Sequence, residues 1–223
     1  MVITNSTKNP SDVFLKYLNS IGLNIPREHY LDPLMMLENH IEKTKKIAAY
    51  GSKPFLEVIH AMGYLLDYTK PEVVLVAIKD DFNSGEYAQM IEFLLGGAAL
   101  VGMHETTLYA KNHKRYPGVG AILKMLEFAT STSYTVVGKP SIPFFEEALS
   151  RLREQKLGVQ FHDITIISDD VKGDLIGAQA LGMRGIFVLS GKIRNADEII
   201  PSLMAHEQPA EIYPDMQGIL ESL

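Results

Sequence analysis

The chain has 223 residues, no cysteine and a formal net charge of −6 at pH 7. The acidic balance disfavours nucleic acid as a partner, because binding to a phosphate backbone requires clustered Lys and Arg, and the lack of cysteine excludes disulfides, thiolate catalysis and cysteine-ligated zinc. No apolar run approaches the roughly 18 residues of a membrane span, and no signal-peptide pattern is seen, so we expect a cytoplasmic protein without a membrane partner.

The first residues form a short apolar run that leads into a polar turn. Val2 and Ile3 precede Thr4-Asn5-Ser6-Thr7, and an amphipathic helix is predicted over residues 13–20. Hydroxyl and backbone N–H groups at a turn between strand and helix can hold a phosphate. The same residue types also dominate ordinary polar loops, so the pattern leaves both interpretations open.

The middle of the chain alternates helical and apolar stretches. Residues 27–46 are predicted as one helix, with Leu34 and Leu37 on its apolar face. After it, predicted strands at 47–50, 73–78 and 98–103 alternate with predicted helices at 54–62, 86–95 and 121–129. Three strand–helix pairs suffice for a small α/β domain, so residues 46–131 are predicted to form an inserted domain.

A lysine stands where the next predicted strand stops. The apolar run at 134–137 ends in Gly138-Lys139-Pro140, before a predicted helix at 143–155. A surface lysine is usually just solvated. A lysine held between glycine and proline at a strand end is, however, positioned to neutralise a phosphate and to hold carboxylates.

The most informative stretch is acidic. A β-branched run at 164–167 is followed by Asp169, Asp170 and Asp174, a predicted helix at 175–181 and a second strand at 185–189. In an open parallel sheet, ligands bind beyond the carboxyl ends of the strands, and oxygen ligands of this kind suit Mg²⁺. The same pattern is typical of a helix N-cap at Asp170 or Asp174, so both interpretations stay open.

Taken together, the three strand ends resemble the haloacid dehalogenase (HAD) superfamily of phosphatases. The branch is the one with a large α/β cap, which includes N-acetylglucosamine phosphate phosphatase-like, phosphoglycolate and pyridoxal phosphatases. The likeness covers essentially the whole chain. Its residues are Val2-Ile-Thr-Asn-Ser6 for the second family motif, Val136-Val-Gly-Lys-Pro140 for the third, Ser168-Asp-Asp-Val-Lys-Gly-Asp174 for the fourth, and the trailing Gly177-Ala-Gln179, Gly182-Met-Arg-Gly185 and Val188-Leu-Ser-Gly-Lys192.

The resemblance implies a Rossmann-like parallel-sheet core, formed by residues 1–45 and 132–223, with the cap at 46–131. It implies Mg²⁺-dependent hydrolysis of small phosphorylated metabolites through a phosphoaspartate. The implied roles are phosphate binding by Thr4, Asn5 and Lys139, catalysis by Lys139 and Asp174, and metal binding by Asp169 and Asp170 with Asp174 behind them. All these side chains are expected to converge on one crevice, with Lys139 within salt-bridge reach of Asp169 or Asp174.

The cap is expected to select the substrate, because it is the part that can cover the crevice and exclude water. His104, Glu105 and the segment 109–115 are its predicted contacts. A homodimer formed through the cap is a further expectation. No predicted partner is a nucleic acid or a membrane.

Two departures from the family pattern matter. Ser168 stands where the family has a glycine before its metal-binding aspartate. The first family motif, an Asp-x-Asp that supplies the nucleophile and the acid/base, is absent, because the chain starts at the second motif. That missing segment is also the central core strand, so its neighbours must close up, another segment must fill the slot, or the natural protein has residues upstream of Met1. We therefore expect the chain as given to show little or no turnover and weak Mg²⁺ binding.

Two other readings compete with a phosphatase. One is a non-catalytic binding or assembly module that keeps the phosphate pocket without the nucleophile, and the absence of Asp-x-Asp favours it. The other is a receiver domain, which also combines acidic residues with a Lys-Pro after a strand. Chain order counts against the receiver domain, because its acidic pair comes early and its lysine late, whereas here Lys139 precedes Asp169.

Overall fold

The computed structural model describes residues 1–112, 114–191 and 193–222. Contacts between residues divide the chain into two compact units, Met1–Phe144 and Phe145–Leu223. His113 of the predicted contact segment and Lys192 of the trailing motif lie outside the described residues. Within the described part, every helix is too short or too polar to cross a bilayer.

Among the described residues, the first unit contains nine strands, five α-helices and the first turn of a sixth. The strands are β1 (Val2–Ile3), β2 (Tyr30–Leu31), β3 (Lys46–Tyr50), β4 (Leu65–Leu66), β5 (Val73–Val76), β6 (Ala99–Gly102), β7 (Leu108–Lys111), β8 (Lys114–Pro117) and β9 (Tyr134–Val136). The helices are α1 (Ser11–Ser20), α2 (Pro33–His40), α3 (Lys53–Ala61), α4 (Ser84–Leu95), α5 (Val119–Thr130) and α6 (Ile142–Gln155), which continues into the second unit.

The core of the first unit is a five-stranded sheet in the order β4-β3-β5-β6-β9, with all strands parallel. One face of β3, β5 and β6 packs on α4 and α5 through Val74, Val76, Met90, Leu100 and Leu123. Strands buried in this way read as continuous β-branched and aliphatic runs, which is why the sequence predicts them well.

Strand β9 belongs to this sheet, although the sequence analysis assigned its residues to the Rossmann-like core domain and not to the cap. Leu100, Val101 and Gly102 of β6 pair in register with Tyr134, Thr135 and Val136 of β9. The predicted boundary between residues 131 and 132 therefore does not coincide with an edge of the sheet. Nothing in the local sequence of a three-residue strand reveals which sheet it joins.

The predicted helix at 27–46 is wrong. Residues Tyr30–Leu31 instead form β2, which pairs in parallel with β1, and a new helix starts at Pro33. The Asp32 side chain caps that helix by accepting from the Met35 N–H at 3.1 Å. Asp followed by Pro is a strong helix-start signal, because proline at the first helical position loses no hydrogen bond.

The second unit is built on a three-stranded parallel sheet. Its order is β10 (Thr165–Ser168), β11 (Arg184–Val188) and β12 (Glu211–Tyr213). Between β10 and β11 lie a π-helical turn over Val171–Leu175 and the short helix α7 (Ile176–Ala180), and α8 (Met216–Ser222) packs Ile219 against β11. Together with the first unit, this confirms the predicted α/β class with parallel sheets.

Strands β1 and β10 each have one open edge. Among the described strands, β1 pairs with β2 alone, and β10 pairs with β11 alone. In the described sheets, β1 and β10 therefore do not pair with each other, and no other strand takes the place of the missing central strand beside either of them. Strands β5 and β10 lie in different sheets.

Candidate functional site

The turn after β1 is joined to the lysine after β9. The Asn5 side chain accepts a hydrogen bond from the Lys139 backbone N–H at 3.0 Å, and its amide donates to the Lys139 carbonyl at 3.5 Å. Gly138 makes this approach possible, because a Cβ there would lie 2.7 Å from Asn5 Oδ1. Two of the predicted phosphate-binding residues, 134 positions apart, are thus held side by side.

Thr4 and Thr7 complete the turn after β1. The Thr4 backbone N–H continues the strand pairing by donating to the Leu31 carbonyl at 3.0 Å, while its hydroxyl accepts from the Ser6 N–H at 3.1 Å. Thr7 is 1% exposed, and its hydroxyl has no hydrogen-bond partner among the described residues. Internal hydrogen bonds therefore hold this turn at the carboxyl end of β1.

Lys139 is 7% exposed, and backbone hydrogen bonds join it and its neighbour to the residues that follow β6. The Glu105 N–H donates to the Lys139 carbonyl at 3.1 Å, and the Gly138 N–H donates to the Met103 carbonyl at 2.9 Å. His104 is 3% exposed, and the Glu105 carboxylate accepts a hydrogen bond from the Tyr134 hydroxyl. The predicted contacts His104 and Glu105 therefore follow the strand that lies beside β9.

A buried carboxylate that the sequence analysis missed lies at the end of β2. Asp32 is 1% exposed and accepts hydrogen bonds from the Tyr30 hydroxyl at 2.7 Å and the Ser11 hydroxyl at 2.9 Å. Burial raises the pKa of Asp32, although these hydrogen bonds oppose the rise. Asp32 ties β2, α1 and α2 together beside the turn after β1. The Asp-Pro pair was the signal that could have revealed it.

In the second unit, the Ser168 hydroxyl organises the acidic turn. It donates to Oδ2 of Asp174 at 2.6 Å and accepts from the Asp170 N–H at 3.1 Å. Asp174 is 8% exposed. The serine that replaces the family glycine is thus a bridge between the end of β10 and the buried carboxylate six positions later.

Asp170 caps the π-helical turn. Its carboxylate accepts from the Gly173 N–H at 3.0 Å, and its carbonyl accepts from the Asp174 N–H at 2.9 Å. Gly173 has no room for a side chain, since a Cβ would lie 2.5 Å from Asp170 Oδ2. This geometry matches the capping interpretation of Asp170. A π-helical turn is rare and often marks a functional site.

Asp169 lies against the loop after β11. A Cβ on Gly191 would lie 1.9 Å from Asp169 Oδ2, so only glycine lets the carboxylate occupy this place. The side-chain atoms of the turn that could ligate a metal are carboxylate and hydroxyl oxygens. Such atoms suit Mg²⁺, because Mg²⁺ takes one or two carboxylates and keeps several waters. The described residues contain no ready-made group of three or more metal-ligating side chains. The turn therefore fits an ion held by one carboxylate, and does not fit an all-protein cage.

The predicted site residues fall into two groups, each within one unit. Asn5 and Lys139, with Thr4 one residue away, belong to the first unit, and Asp169, Asp170 and Asp174 belong to the second. The convergence of the two groups and the salt bridge from Lys139 to Asp169 or Asp174 stay predictions. No Asp-x-Asp occurs anywhere in the given sequence.

Comparison with known proteins identifies relatives of this chain. A family model described as HAD-hydrolase-like matches residues 136–218. Haloacid dehalogenase-like hydrolase domain-containing protein 2 of Bos taurus is 32% identical over 202 residues, covering 88% of this chain and 73% of the relative. The human phospholysine phosphohistidine inorganic pyrophosphate phosphatase is 34% identical over 163 residues, covering 70% of this chain and 58% of the relative.

A solved structure extends the likeness to nearly the whole fold. The p-nitrophenyl phosphatase from Archaeoglobus fulgidus superposes with a TM-score of 0.79 at 22% identity, covering 99% of this chain and 85% of that one. The similarity in sequence to the bovine protein and the matched parallel α/β fold agree with the motifs in the two turns. The chain therefore belongs to the HAD-like hydrolase family.

Proposed function

We propose that this chain carries the phosphate-binding and metal-binding residues of a Mg²⁺-dependent phosphomonoesterase that acts on small phosphorylated metabolites in the cytoplasm. The observation that carries the proposal is the pair of hydrogen bonds between Asn5 and the Lys139 backbone. It joins the polar turn after β1 to a largely buried lysine, which is the combination that a phosphate requires. The phosphatase relative supports the same reaction class.

In this proposal each turn has a separate task. The Thr4 hydroxyl and the Asn5 backbone N–H hold phosphoryl oxygens, and the Lys139 ammonium offsets negative charge as it develops on them. Asp169 holds the metal, and Asp174, braced by Ser168, supports the turn behind it. Bound Mg²⁺ supplies further neutralisation of the phosphoryl oxygens. These steps require the two groups of residues to act together.

The attacking carboxylate is proposed to come from a segment outside the given sequence. In the covalent route, that carboxylate forms a bond to phosphorus as the alkoxide leaves, and water then hydrolyses the acyl phosphate. The open edges of β1 and β10 are consistent with a further parallel strand at either edge. A homodimer through the cap is part of the same proposal.

The test compares the chain as given with a protein extended upstream to an Asp-x-Asp, using p-nitrophenyl phosphate and Mg²⁺. We expect turnover from the extended protein and a loss of 10⁴-fold or more without the nucleophile, by analogy with other covalent catalysts. Equal and substantial rates from both proteins would contradict the proposal and point to another carboxylate, such as Asp170, as nucleophile.

Phosphate binding by the chain as given is a second readout. Inorganic phosphate should bind in a calorimetric titration, and Lys139→Met should weaken binding while the exposed control Lys156→Met leaves it intact. Binding without turnover from either protein would favour the non-catalytic module, which the absence of Asp-x-Asp also favours. Failure of phosphate to bind would contradict both functions.

A further inference from the structure

Strands β7 and β8 form a hairpin that carries aromatic and basic side chains on one face. In its antiparallel register, Tyr109 stands opposite Tyr116, and Lys111 stands opposite Lys114. Residues directly opposite each other, and those two positions along, share a face, so these four side chains lie on the same side. The two tyrosine rings are stacked, with centroids 5.3 Å apart and planes 19° from parallel.

Only one of the two lysines on this face is neutralised. Asp80, in the loop after β5, accepts hydrogen bonds from the Tyr109 hydroxyl at 2.8 Å and from the Lys111 ammonium. Lys114 is exposed and makes no ion pair with any residue that the structure describes. Like charges directly opposite each other on a ladder destabilise it. An anion bound beside Lys114 would neutralise the second lysine, as Asp80 neutralises Lys111.

The hairpin is anchored to the phosphate-binding turns within the same unit. Its base is closed by the Gly118 N–H, which donates to the Thr107 carbonyl at 2.8 Å, and two residues earlier Glu105 is bonded to the Lys139 backbone. The hydrogen bonds from Lys111 and Tyr109 lower the pKa of Asp80, and the charge of Lys8 makes a smaller contribution in the same direction. Since a strand rises about 3.4 Å per residue, Lys114 stands on the order of 10 Å from the hairpin base.

We propose that Lys114, beside the Tyr109–Tyr116 stack, binds a second anionic group on the substrate, so that preferred substrates carry a negative charge on a planar leaving group. This inference rests on the proposed function, because it places the phosphate of the same molecule at Asn5 and Lys139. The tyrosine rings offer a flat apolar surface to a ring, and the ammonium offers a charge-assisted hydrogen bond to its anionic substituent. Asp80 holds the hairpin in position and is not itself a ligand.

The experiment measures binding of two non-hydrolysable probes, benzylphosphonate and 4-carboxybenzylphosphonate, to the chain as given by calorimetric titration. We expect the carboxylated probe to bind about threefold to fivefold more tightly, the upper range for one ion pair at an exposed site. Lys114→Gln should abolish this preference and leave the affinity for benzylphosphonate unchanged. Lys114→Arg should retain the preference, which excludes loss of the hairpin fold as the cause.

Lys70→Gln is the matched control, because Lys70 is also exposed but precedes β5 at the amino end of the sheet. It should leave both affinities unchanged. Equal binding of the two probes to the natural chain, or a preference that survives Lys114→Gln, would overturn this inference while leaving the proposed phosphate site standing. Binding of neither probe would overturn the phosphate site and this inference with it.

Discussion

The Ser168 hydroxyl donates a 2.6 Å hydrogen bond to the carboxylate of Asp174, which is 8% exposed. A hydrogen bond to a buried charged group contributes more than a neutral one, because it replaces part of the hydration that the carboxylate loses on burial. The same hydroxyl accepts from the Asp170 N–H. One side chain therefore holds both ends of the acidic turn.

Replacing Ser168 with alanine should destabilise the second unit. We expect Ser168→Ala to lower the free energy of unfolding by about 1–3 kcal/mol, because Asp174 and the Asp170 N–H both lose a partner. Urea denaturation measures the change. The control is Ser20→Ala, whose hydroxyl donates to the exposed Tyr17 carbonyl and should cost less. Equal losses of unfolding free energy in both variants would mean that the Ser168 hydroxyl does not stabilise the acidic turn more than an exposed hydroxyl stabilises its own surroundings.

Adding a methyl group at Gly191 should displace Asp169. A Cβ at 1.9 Å from Asp169 Oδ2 cannot be accommodated without a shift of the carboxylate or the loop. We expect Gly191→Ala to lower the melting temperature and to remove any increase in it that Mg²⁺ produces in the natural chain. Gly218→Ala is the control, since its nearest neighbour would lie at 3.3 Å. A Gly191→Ala variant that still responds to Mg²⁺ like the natural chain would exclude Asp169 as its ligand.

Removing the Asn5 side chain should loosen the join between the two phosphate-binding turns. We expect Asn5→Ala to lower the free energy of unfolding by about 1–2 kcal/mol and to weaken phosphate binding. Asn19→Ala is a matched control, because Asn19 also makes two hydrogen bonds to one backbone residue, Ile25, at 2.6 and 2.9 Å. It should lose similar stability but keep phosphate binding. Similar losses of phosphate binding in both variants would contradict a specific role for Asn5.

The buried Asp32 should make stability fall as pH rises. Its pKa is raised in the folded chain by burial, so the folded state holds the proton more tightly than the unfolded state does. The resulting stabilisation is complete below the ordinary carboxyl pKa of 3.8 and is lost as pH rises through the higher folded value. We therefore expect the stability of the natural chain relative to Asp32→Asn to decrease with pH above 3.8.

Asp67 provides a control of opposite sign for this pH dependence. Hydrogen bonds from the Thr69 hydroxyl and from the Lys70 and Thr69 N–H groups lower the pKa of Asp67. Its contribution is therefore present above the ordinary carboxyl pKa and is lost as pH falls, so the stability relative to Asp67→Asn should increase with pH. Chemical denaturation across the acid range measures both differences. A flat difference for Asp32→Asn would mean that Asp32 titrates as it does in the unfolded chain.

Local patterns predicted most elements of this fold correctly, and the failures have identifiable causes. The buried strands β3, β5 and β6 and the helices between them follow directly from apolar runs and caps. Strand β2 was missed because its two residues sit inside a helix-like pattern and gain their pairing only from β1. The hairpin of β7 and β8 was not predicted, because polar and basic residues at its tip hide the alternation.

The sequence by itself determined the chemistry of the two turns and their family, because a strand, a polar or acidic turn and a helix are encoded within a few neighbouring residues. Only the tertiary structure decided which of these residues meet. Asn5 contacts Lys139 across 134 positions, and β9 pairs with β6, because backbone groups at strand ends find partners according to chain topology, which local sequence does not encode. The bridge from Ser168 to Asp174 likewise depends on a π-helical turn that brings the sixth residue back onto the strand end.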